Sequence, residues 1–547
     1  MKEKRWGEMT LAQVLDETAR RIPQKEAIVY KGRWITFREL AETADELAKA
    51  LLKAGLQRGD KVAIMMTNCP EWVFTRDAVI RAGGWWVPIN TRFRSTELEY
   101  ILRHSDSSFL FMNDRAAGTD FVELLCGLYP EVRQGTPGDL RLPKAPSLRY
   151  IVCLSDEEYP GMIRFSDFLD SGGDYPLDEL ERVKASIKPD DIVEIAYTSG
   201  TTGLPKGVLT THSQFLRAMA ATAERLGTTD QDRILLPAPM FTNMGNFVGI
   251  IQAEMYGATM VVLELFDPPE ILRAIREEKC SLFTGSPAMY NMIMDHPDFR
   301  SEDVKSMRAG IIGGAPVTPE IVRKVWEKIG MKLFVGYGMT ENSAVTTLSE
   351  VDDTPELISE TCGRLLFPDC EMKIVDPETG KDCPPGVVGE IRTRGWLVTP
   401  GYYKMPEETA KSRDQDGWFL TGDLGTLDEK GYLRVTGRLK DMIISGGLNI
   451  DPAEIENLLA QHPAVAAAQA VGVPDRRMGE VVVAFVILKK GMTATEQEII
   501  DFCTGKIAKY KVPKSVRFVE EFPVTAYGKV QKFKLRQMAT EEIGLGD

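Results

Sequence analysis

Eleven residues, Tyr197 to Gly207, reading YTSGTTGLPKG, restrict the chain more than any other stretch. Its glycines let the backbone turn N–H groups toward an anion, the hydroxyls of Thr198, Ser199, Thr201 and Thr202 add donors, and Lys206 adds a point charge. Apolar Ile192, Val193 and Ile195 precede it and Val208 to Thr211 follow it, so it reads as a loop joining two strands. A Walker A loop needs Gly-Lys-Ser/Thr opening a helix. Here the lysine lies between Pro205 and Gly207, and that reading fails. On these residues alone, a polyphosphate cradle and a plain Ser/Thr/Gly hairpin both stay open.

A chain of 547 residues exceeds the size at which one core keeps growing, so two or more domains are expected. Sixty-six basic against 80 acidic residues, a net charge of −14, argue against a general affinity for nucleic acid or anionic membranes. Anionic ligands must then be met by local charge. Eight cysteines with no C-x-x-C pair suit a reducing compartment and core positions. The opening MKEKRWGEMTLAQVLDE is charged and helix-patterned rather than signal-like, and the closing GLGD matches no prenyl or peroxisomal address. The most apolar stretch, Phe247 to Leu263, is broken by Gln252, Glu254 and Gly257 and falls short of a membrane span. A cytoplasmic protein without a membrane span is the expectation, with a homodimer left open.

The first half reads as repeated strand and helix units. Thr36 and Glu39 make a capping box, Leu40, Ala44, Leu47, Ala48 and Leu51 follow at helical spacing, and Gly55 closes the helix. Strand 61–66, helix 71–81 and strand 86–89 form a βαβ unit. Residues 115–190, rich in Pro and Gly, read as irregular surface. Further on, strand 309–312 leads into GGAP (Gly313 to Pro316), a helix with Ile321, Val322, Val325, Trp326 and Ile329 on one face, and strand 332–335 running into GYGMTE. Two glycine loops thus leave the C-terminal ends of two parallel strands, where open α/β sheets bind ligands. Tyr337 offers a flat face for a purine, Thr340 a hydroxyl, and Glu341 a carboxylate able to hold Mg²⁺ against phosphate oxygens. Standing alone, the hexapeptide is equally a glycine turn with a solvated Glu.

Taken in order, YTSGTTGLPKG, GYGMTE, TGD (Thr421 to Asp423), GRLKD (Gly437 to Asp441) and PVTAYGK (Pro523 to Lys529) resemble the motif series of the adenylate-forming superfamily, which includes acyl-CoA synthetases, peptide-synthetase adenylation domains and luciferases. The resemblance spans nearly the whole chain. It implies an α/β fold with a large multi-sheet N-terminal domain, residues 1–439, and a small mobile α+β C-terminal lid, residues 440–547, hinged at Lys440. It also implies residue roles. Thr198, Ser199, Gly200, Thr201, Thr202 and Lys206 would hold the β- and γ-phosphates of ATP. Gly314, Ala315 and Pro316 would line the adenine, with Tyr337 stacked on it beside Gly338. Thr340 and Glu341 would meet phosphate and Mg²⁺, and Asp423 and Arg438 the ribose hydroxyls. Without the family, Asp423 and Arg438 read as a surface ion pair.

In this family a carboxylate attacks the α-phosphate of ATP to give an acyl adenylate. Both reactants are anions, so a cation must bridge them, and the resemblance assigns that to Lys529. No general base is needed, since the carboxylate is already ionised; His104, His212, His296 and His462 show no metal-ligand or triad spacing. ISGGLNIDPAEIE (Ile444 to Glu456) resembles the glycine loop through which acyl-CoA synthetases admit pantetheine, with Gly446 and Gly447 lining the channel. The expected reaction is AMP-forming ligation of a carboxylic acid to coenzyme A. Delivery to a carrier-protein thiol and a catalytically silent nucleotide-binding protein are the alternatives. PMFTNMGNF (Pro239 to Phe247) occupies the family's acyl-pocket segment, giving Phe241, Thr242, Asn243, Phe247, Gly313 and Val345 as substrate residues. Together they describe a mainly apolar cavity with an amide handle, suited to a medium-chain, alicyclic or aromatic acid. Phe247 and Phe283 read equally as core. Thr242 stands where many CoA ligases carry histidine, and Leu448 and Met478 also depart from common choices.

Overall fold

The computed structural model describes residues 6–198, 205–314, 317–445, 448–475, 478–504, 506–507, 509–524 and 530–544. They fall into two compact units, Met1–Glu371 with Arg394–Arg413, and Met372–Thr393 with Asp414–Asp547.

The first unit is built on two sheets. In the nine-stranded sheet the strands Lys332–Tyr337, Ala309–Ile312, Leu282–Gly285, Arg233–Leu236, Thr259–Val262 and Glu26–Tyr30 lie side by side and parallel. Short antiparallel strands complete both edges. Alternate side chains go to two different cores, as the period of two requires: Ile234, Leu236, Met260 and Phe334 enter one, Leu235, Val261, Leu333 and Val335 the other. Strands covered on both faces read as continuous apolar runs, which is why RILL and TMVV carry no polar alternation.

The seven-stranded sheet runs in the order Lys206–Thr211, Ile192–Thr198, Trp85–Pro88, Lys61–Met65, Ser107–Asn113, Tyr150–Leu154, Ile163–Arg164, and only its first strand is antiparallel to its neighbour. The helices Phe37–Lys53, Pro70–Arg81 and His212–Leu226 share one core with strands of both sheets. Pro70–Arg81 is buried along almost its whole circumference, so its polar residues must be satisfied internally. Arg76 Nη1 reaches both carboxylate oxygens of Glu254 at 3.0 Å, and its guanidinium lies 5.1 Å from the Trp86 ring centroid. The capping box of Thr36 with Glu39 is present, and Gly55, at φ +88°, follows that helix.

Residues 115–190 depart from the expected irregular surface. Tyr150–Leu154 is an inner strand of the seven-stranded sheet, and Phe168 packs edge-on to Phe109 and Phe111. Five residues of YIVCL suffice for a covered parallel strand, and the Pro and Gly around them belong to the connections.

The second unit holds a four-stranded sheet, Glu371–Val375, Gly389–Arg394, Phe419–Leu427 and Leu433–Arg438, whose last three strands are antiparallel. The 3-10 turn Leu439–Asp441 leads from it to a five-stranded sheet centred on Gly479–Leu488. Asp451 caps the helix Pro452–Leu459 through Ala453 N at 2.9 Å, with Ile455 and Leu459 buried, as the Asp-Pro pair predicts. The helix Glu496–Cys503 opens on a capping box of Thr495 with Glu498. No helix of the described residues is long and apolar enough to cross a membrane.

Candidate active site

In the first unit the site grows from the hairpin Ile192–Thr198/Lys206–Thr211, whose register pairs Thr198 with Lys206 and Tyr197 with Gly207. Ser199, Gly200, Thr201 and Thr202 lie outside the described residues, as do Ala315, Pro316, Gly446, Gly447 and Lys529. Thr198 Oγ1 reaches Lys206 O at 3.5 Å, closing the strand ends across the turn. Tyr197, buried, keeps its proton because burial drives its pKa up, and its hydroxyl is hydrogen-bonded with His104 Nδ1 at 2.8 Å. Burial, with Lys404 adding to it, holds His104 below its ordinary pKa and favours the neutral ring.

A second segment, Thr399 to Lys411, runs along this hairpin. Leu209 N donates to Gly401 O at 3.1 Å and Tyr403 N to Gly207 O at 2.8 Å, giving the edge strand a partner on its outer side. The same segment carries two side chains that meet the site. Lys206 Nζ pairs with Glu408 Oε2 at 2.5 Å and lies 5.0 Å from the Tyr402 ring centroid. Tyr402 donates its hydroxyl to Glu341 Oε1 at 3.2 Å, and burial together with Glu341 and Glu408 raises its pKa, so the proton stays on. Tyr402 and Glu408 were missed in the sequence reading. Their signal was the run PGYYKMPEET, with Pro406 opening a short helix just after two tyrosines.

Glu341 sits in the 3-10 turn Thr340–Asn342 after the strand Lys332–Tyr337 and is 8% exposed. Its carbonyl accepts from Thr399 N at 2.7 Å. Ser343 and Ala344, with φ of 56° and 73°, are non-glycine residues in left-handed conformations. This strain right after Glu341 is held by Ser343 Oγ donating to Leu397 O at 2.7 Å. Gly338 allows the turn: a Cβ there would lie 2.1 Å from Ala344 O. Tyr337 is half-buried. Among the described residues no three His, Cys, Asp or Glu side chains assemble as a metal site. A single oriented carboxylate suits Mg²⁺, whose remaining ligands in such sites are phosphate oxygens and water.

The segment Pro239 to Phe247, expected to face the acid, meets these elements directly. Asn243 Nδ2 donates to Thr340 Oγ1 at 3.3 Å, and Met244 Cε stands where a Cβ on Gly314 would come within 2.9 Å. Thr242 Oγ1 bonds Pro239 O at 2.7 Å and accepts from Gly245 N at 3.3 Å, so its hydroxyl shapes the turn. Phe241 and Val345 are half-buried and Gly313 is buried. Phe247 is fully buried in the π-helix Asn246–Ile251 with its ring 6.1 Å from Phe215, and Phe283 packs 4.8 Å from Tyr290; both belong to core clusters. Asn246, 2% exposed, has neither amide atom hydrogen-bonded within the described residues. His212 is buried, its Nδ1 accepting from Leu11 N at 3.3 Å, and burial drops its pKa to about 3. That is a structural role.

In the second unit, Asp423 and Arg438 face each other across adjacent strands, with Arg438 Nε 2.9 Å from Asp423 Oδ1. Asp423 is buried and Arg438 half-exposed, unlike a fully solvated surface pair. Lys440 is exposed on the turn between the unit's two sheets.

Residues 15–403 match the model of the AMP-binding enzyme family, and residues 454–529 that of the AMP-binding enzyme C-terminal domain. The chain belongs to the AMP-binding enzyme family. Human mitochondrial medium-chain acyl-CoA ligase ACSF2 is 37% identical, the match covering 99% of this chain and 89% of the relative. YngI of Bacillus subtilis (strain 168), whose name places it provisionally among acyl-CoA synthetases, is 39% identical over 98% of both. ATP-bound MatB from Rhodopseudomonas palustris superposes with a TM-score of 0.83 at 29% identity, covering 97% of this chain and 99% of that one. The o-succinylbenzoate-CoA synthetase MenE from Bacillus subtilis, in complex with its acyl-adenylate intermediate, gives 0.81 at 28%, covering 97% and 98%. The multi-sheet α/β architecture with a smaller C-terminal part is thus that of adenylate-forming enzymes. The chain is an AMP-forming acyl-CoA ligase that uses ATP, Mg²⁺ and CoA.

Proposed function

We propose that the acid is a medium-chain carboxylic acid, and that the residues above divide the work as follows. Lys206 and Thr198, with the loop between them, neutralise the β- and γ-phosphates; Tyr337 and Gly314 flank the adenine; Asp423 and Arg438 serve the ribose. Glu341 orients Mg²⁺, which when bound draws charge from the phosphate oxygens. One carboxylate oxygen of the acid bonds to the α-phosphorus as the bond to pyrophosphate breaks, and Lys529 stabilises the charge on the transferring group. The CoA thiol, losing its proton, then bonds to the acyl carbon and AMP leaves, with Gly446 and Gly447 leaving room for pantetheine. A lid of residues 440–547 turning at Lys440 would present Lys529 and the glycines in turn.

The observation that carries this reading is the hydrogen bond from Asn243 to Thr340. It supports the reading because it joins Asn243 to the residue next to Glu341, near which the acid's carboxylate would have to lie to reach the α-phosphate. The lining offered by Phe241, Met244 and Val345 is apolar, and the relative named for medium-chain acids matches almost the whole chain. Eight free cysteines, six of them buried, favour a reducing compartment, and the cytoplasm is the one proposed. AMP release in the presence of CoA, measured across straight-chain acids from short to long and a set of aromatic and alicyclic acids, tests the substrate. The highest kcat/KM is expected for medium straight chains; a clear preference for an aromatic or dicarboxylic acid refutes it.

A further inference from the structure

Lys206 is the cation of the phosphate loop, yet it is already engaged. Its ammonium touches Glu408 Oε2 at 2.5 Å, with Glu408 side-chain exposure of 37% and its own of 26%. Glu408 has a second cation in reach, because Lys411 Nζ lies 3.1 Å from its other oxygen, Oε1. These two lysines hold the Glu408 carboxyl below the usual carboxylate range, Lys206 first and Lys411 second, so it is a full negative charge at neutral pH. The Tyr402 ring beneath Lys206 keeps the lysine at this place, and the same Tyr402 bonds Glu341. An anion that takes Lys206 must therefore displace a carboxylate, and the carboxylate it displaces is not stranded: Lys411 and water receive it.

We propose that Glu408 is a displaceable counter-ion for Lys206, giving the lysine up to the polyphosphate and reclaiming it as pyrophosphate leaves. The inference rests on the reading of Lys206 as a phosphate ligand. Glu408 acts through Lys206 and is a positioning residue. Without it the lysine would hold phosphate more tightly on both sides of the reaction, and release of a highly charged product would suffer most. An exposed pair has limited leverage, so the effect is expected at about two- to five-fold.

The test is calorimetric binding of magnesium pyrophosphate, and separately of MgATP, to the full chain. E408Q keeps the length of the side chain and is expected to bind pyrophosphate about two- to five-fold more tightly than wild type, with the gap closing in 0.5 M KCl as charges are screened. K411M removes the competing cation, leaves Glu408 to Lys206 alone, and is expected to shift affinity the opposite way. Steady-state turnover of E408Q should show stronger inhibition by added pyrophosphate. Equal or weaker pyrophosphate binding by E408Q, at an unchanged melting temperature, overturns the proposal, as does the same direction of change in both variants. K206M separates the two readings. If it binds pyrophosphate as wild type does, Lys206 is not a phosphate ligand and the underlying reading fails. If it binds weakly while E408Q changes nothing, only the counter-ion role falls.

Discussion

Replacing Tyr402 by Phe removes one hydroxyl and little else. The ring stays under Lys206, Tyr402 N still donates to Thr409 Oγ1 at 2.9 Å, and the backbone bridge to Val208 is untouched. What disappears is the donor to Glu341 Oε1 at 3.2 Å. Groups that orient a metal-binding carboxylate typically cost about 10- to 100-fold in metal affinity when removed. Two features place this one at the low end. The O···O distance is well beyond the 2.5–2.7 Å or so of a strong hydroxyl–carboxylate bond, and Tyr402 is only half-buried, so water can replace part of the loss. The expected change is about tenfold, or about 1.4 kcal/mol. Acid-dependent ATP–pyrophosphate exchange measured against free Mg²⁺ reads it directly. Tyr402→Phe should need about tenfold more Mg²⁺ for half-maximal exchange, with KM for the acid changed by less than about twofold. An unchanged Mg²⁺ dependence with full activity would show that the hydroxyl does not orient Glu341 for a metal. A loss of activity matched by a lowered melting temperature and no shift along the Mg²⁺ axis would make Tyr402 a packing residue only.

Asn243→Leu should lower kcat/KM for acids carrying a polar group more than for plain alkyl acids, since leaving a buried polar partner unpaired costs about 1–3 kcal/mol selectively; a uniform change across the acid panel would place Asn243 outside the acyl site. Burial acts in opposite senses on two internal groups, lowering His212 to about 3 and raising Glu194 to about 7. The His212 contribution is intact above its unfolded value near 6.5 and is lost as pH falls toward 3; that of Glu194 is intact below about 4.5 and is lost as pH rises through 7, each at about 1.4 kcal/mol per unit. Melting temperatures from pH 5 to 8 should therefore show His212→Asn, which keeps an acceptor for Leu11 N, losing less than wild type on acidification. Glu194→Gln, which keeps an acceptor for Trp86 Nε1, should gain relative to wild type above pH 7, and parallel curves for all three proteins would contradict both assignments.

Much of the fold was legible because its devices are local. The Thr36–Glu39 box, the Asp451-Pro452 start and the apolar runs of the parallel strands each announce themselves within a few residues. Tyr150–Leu154 was not, since a covered five-residue strand has no alternation and lies among Pro and Gly. The site divides in the same way. Thr198, Lys206, Tyr337, Thr340 and Glu341 stand in motifs, whereas Tyr402 and Glu408 join them only through pairing between segments far apart in the chain. Phe247 shows the limit from the other side: its place in the acyl segment suggested a pocket wall, and only three-dimensional packing sets its ring against Phe215.

That long-range pairing also explains why the lysine points where it does. A hairpin at the edge of a sheet is open to slippage, and a shift of one residue would turn Lys206 to the opposite face and expose Val208, now fully buried. The hairpin itself supplies only half the constraint. The other half comes from Thr399 to Tyr403, where the Thr399 hydroxyl donates to Leu209 O at 2.6 Å and the Gly401 and Tyr403 backbones bond Leu209 and Gly207. Because Thr399 N also holds the carbonyl of Glu341, one short segment sets the position of the site's lysine and of its carboxylate together. Lys206, at the start of its strand, and Glu341, in its 3-10 turn, are thus tied to the same short segment and linked to each other through Tyr402, whose ring lies against the lysine and whose hydroxyl bonds the carboxylate.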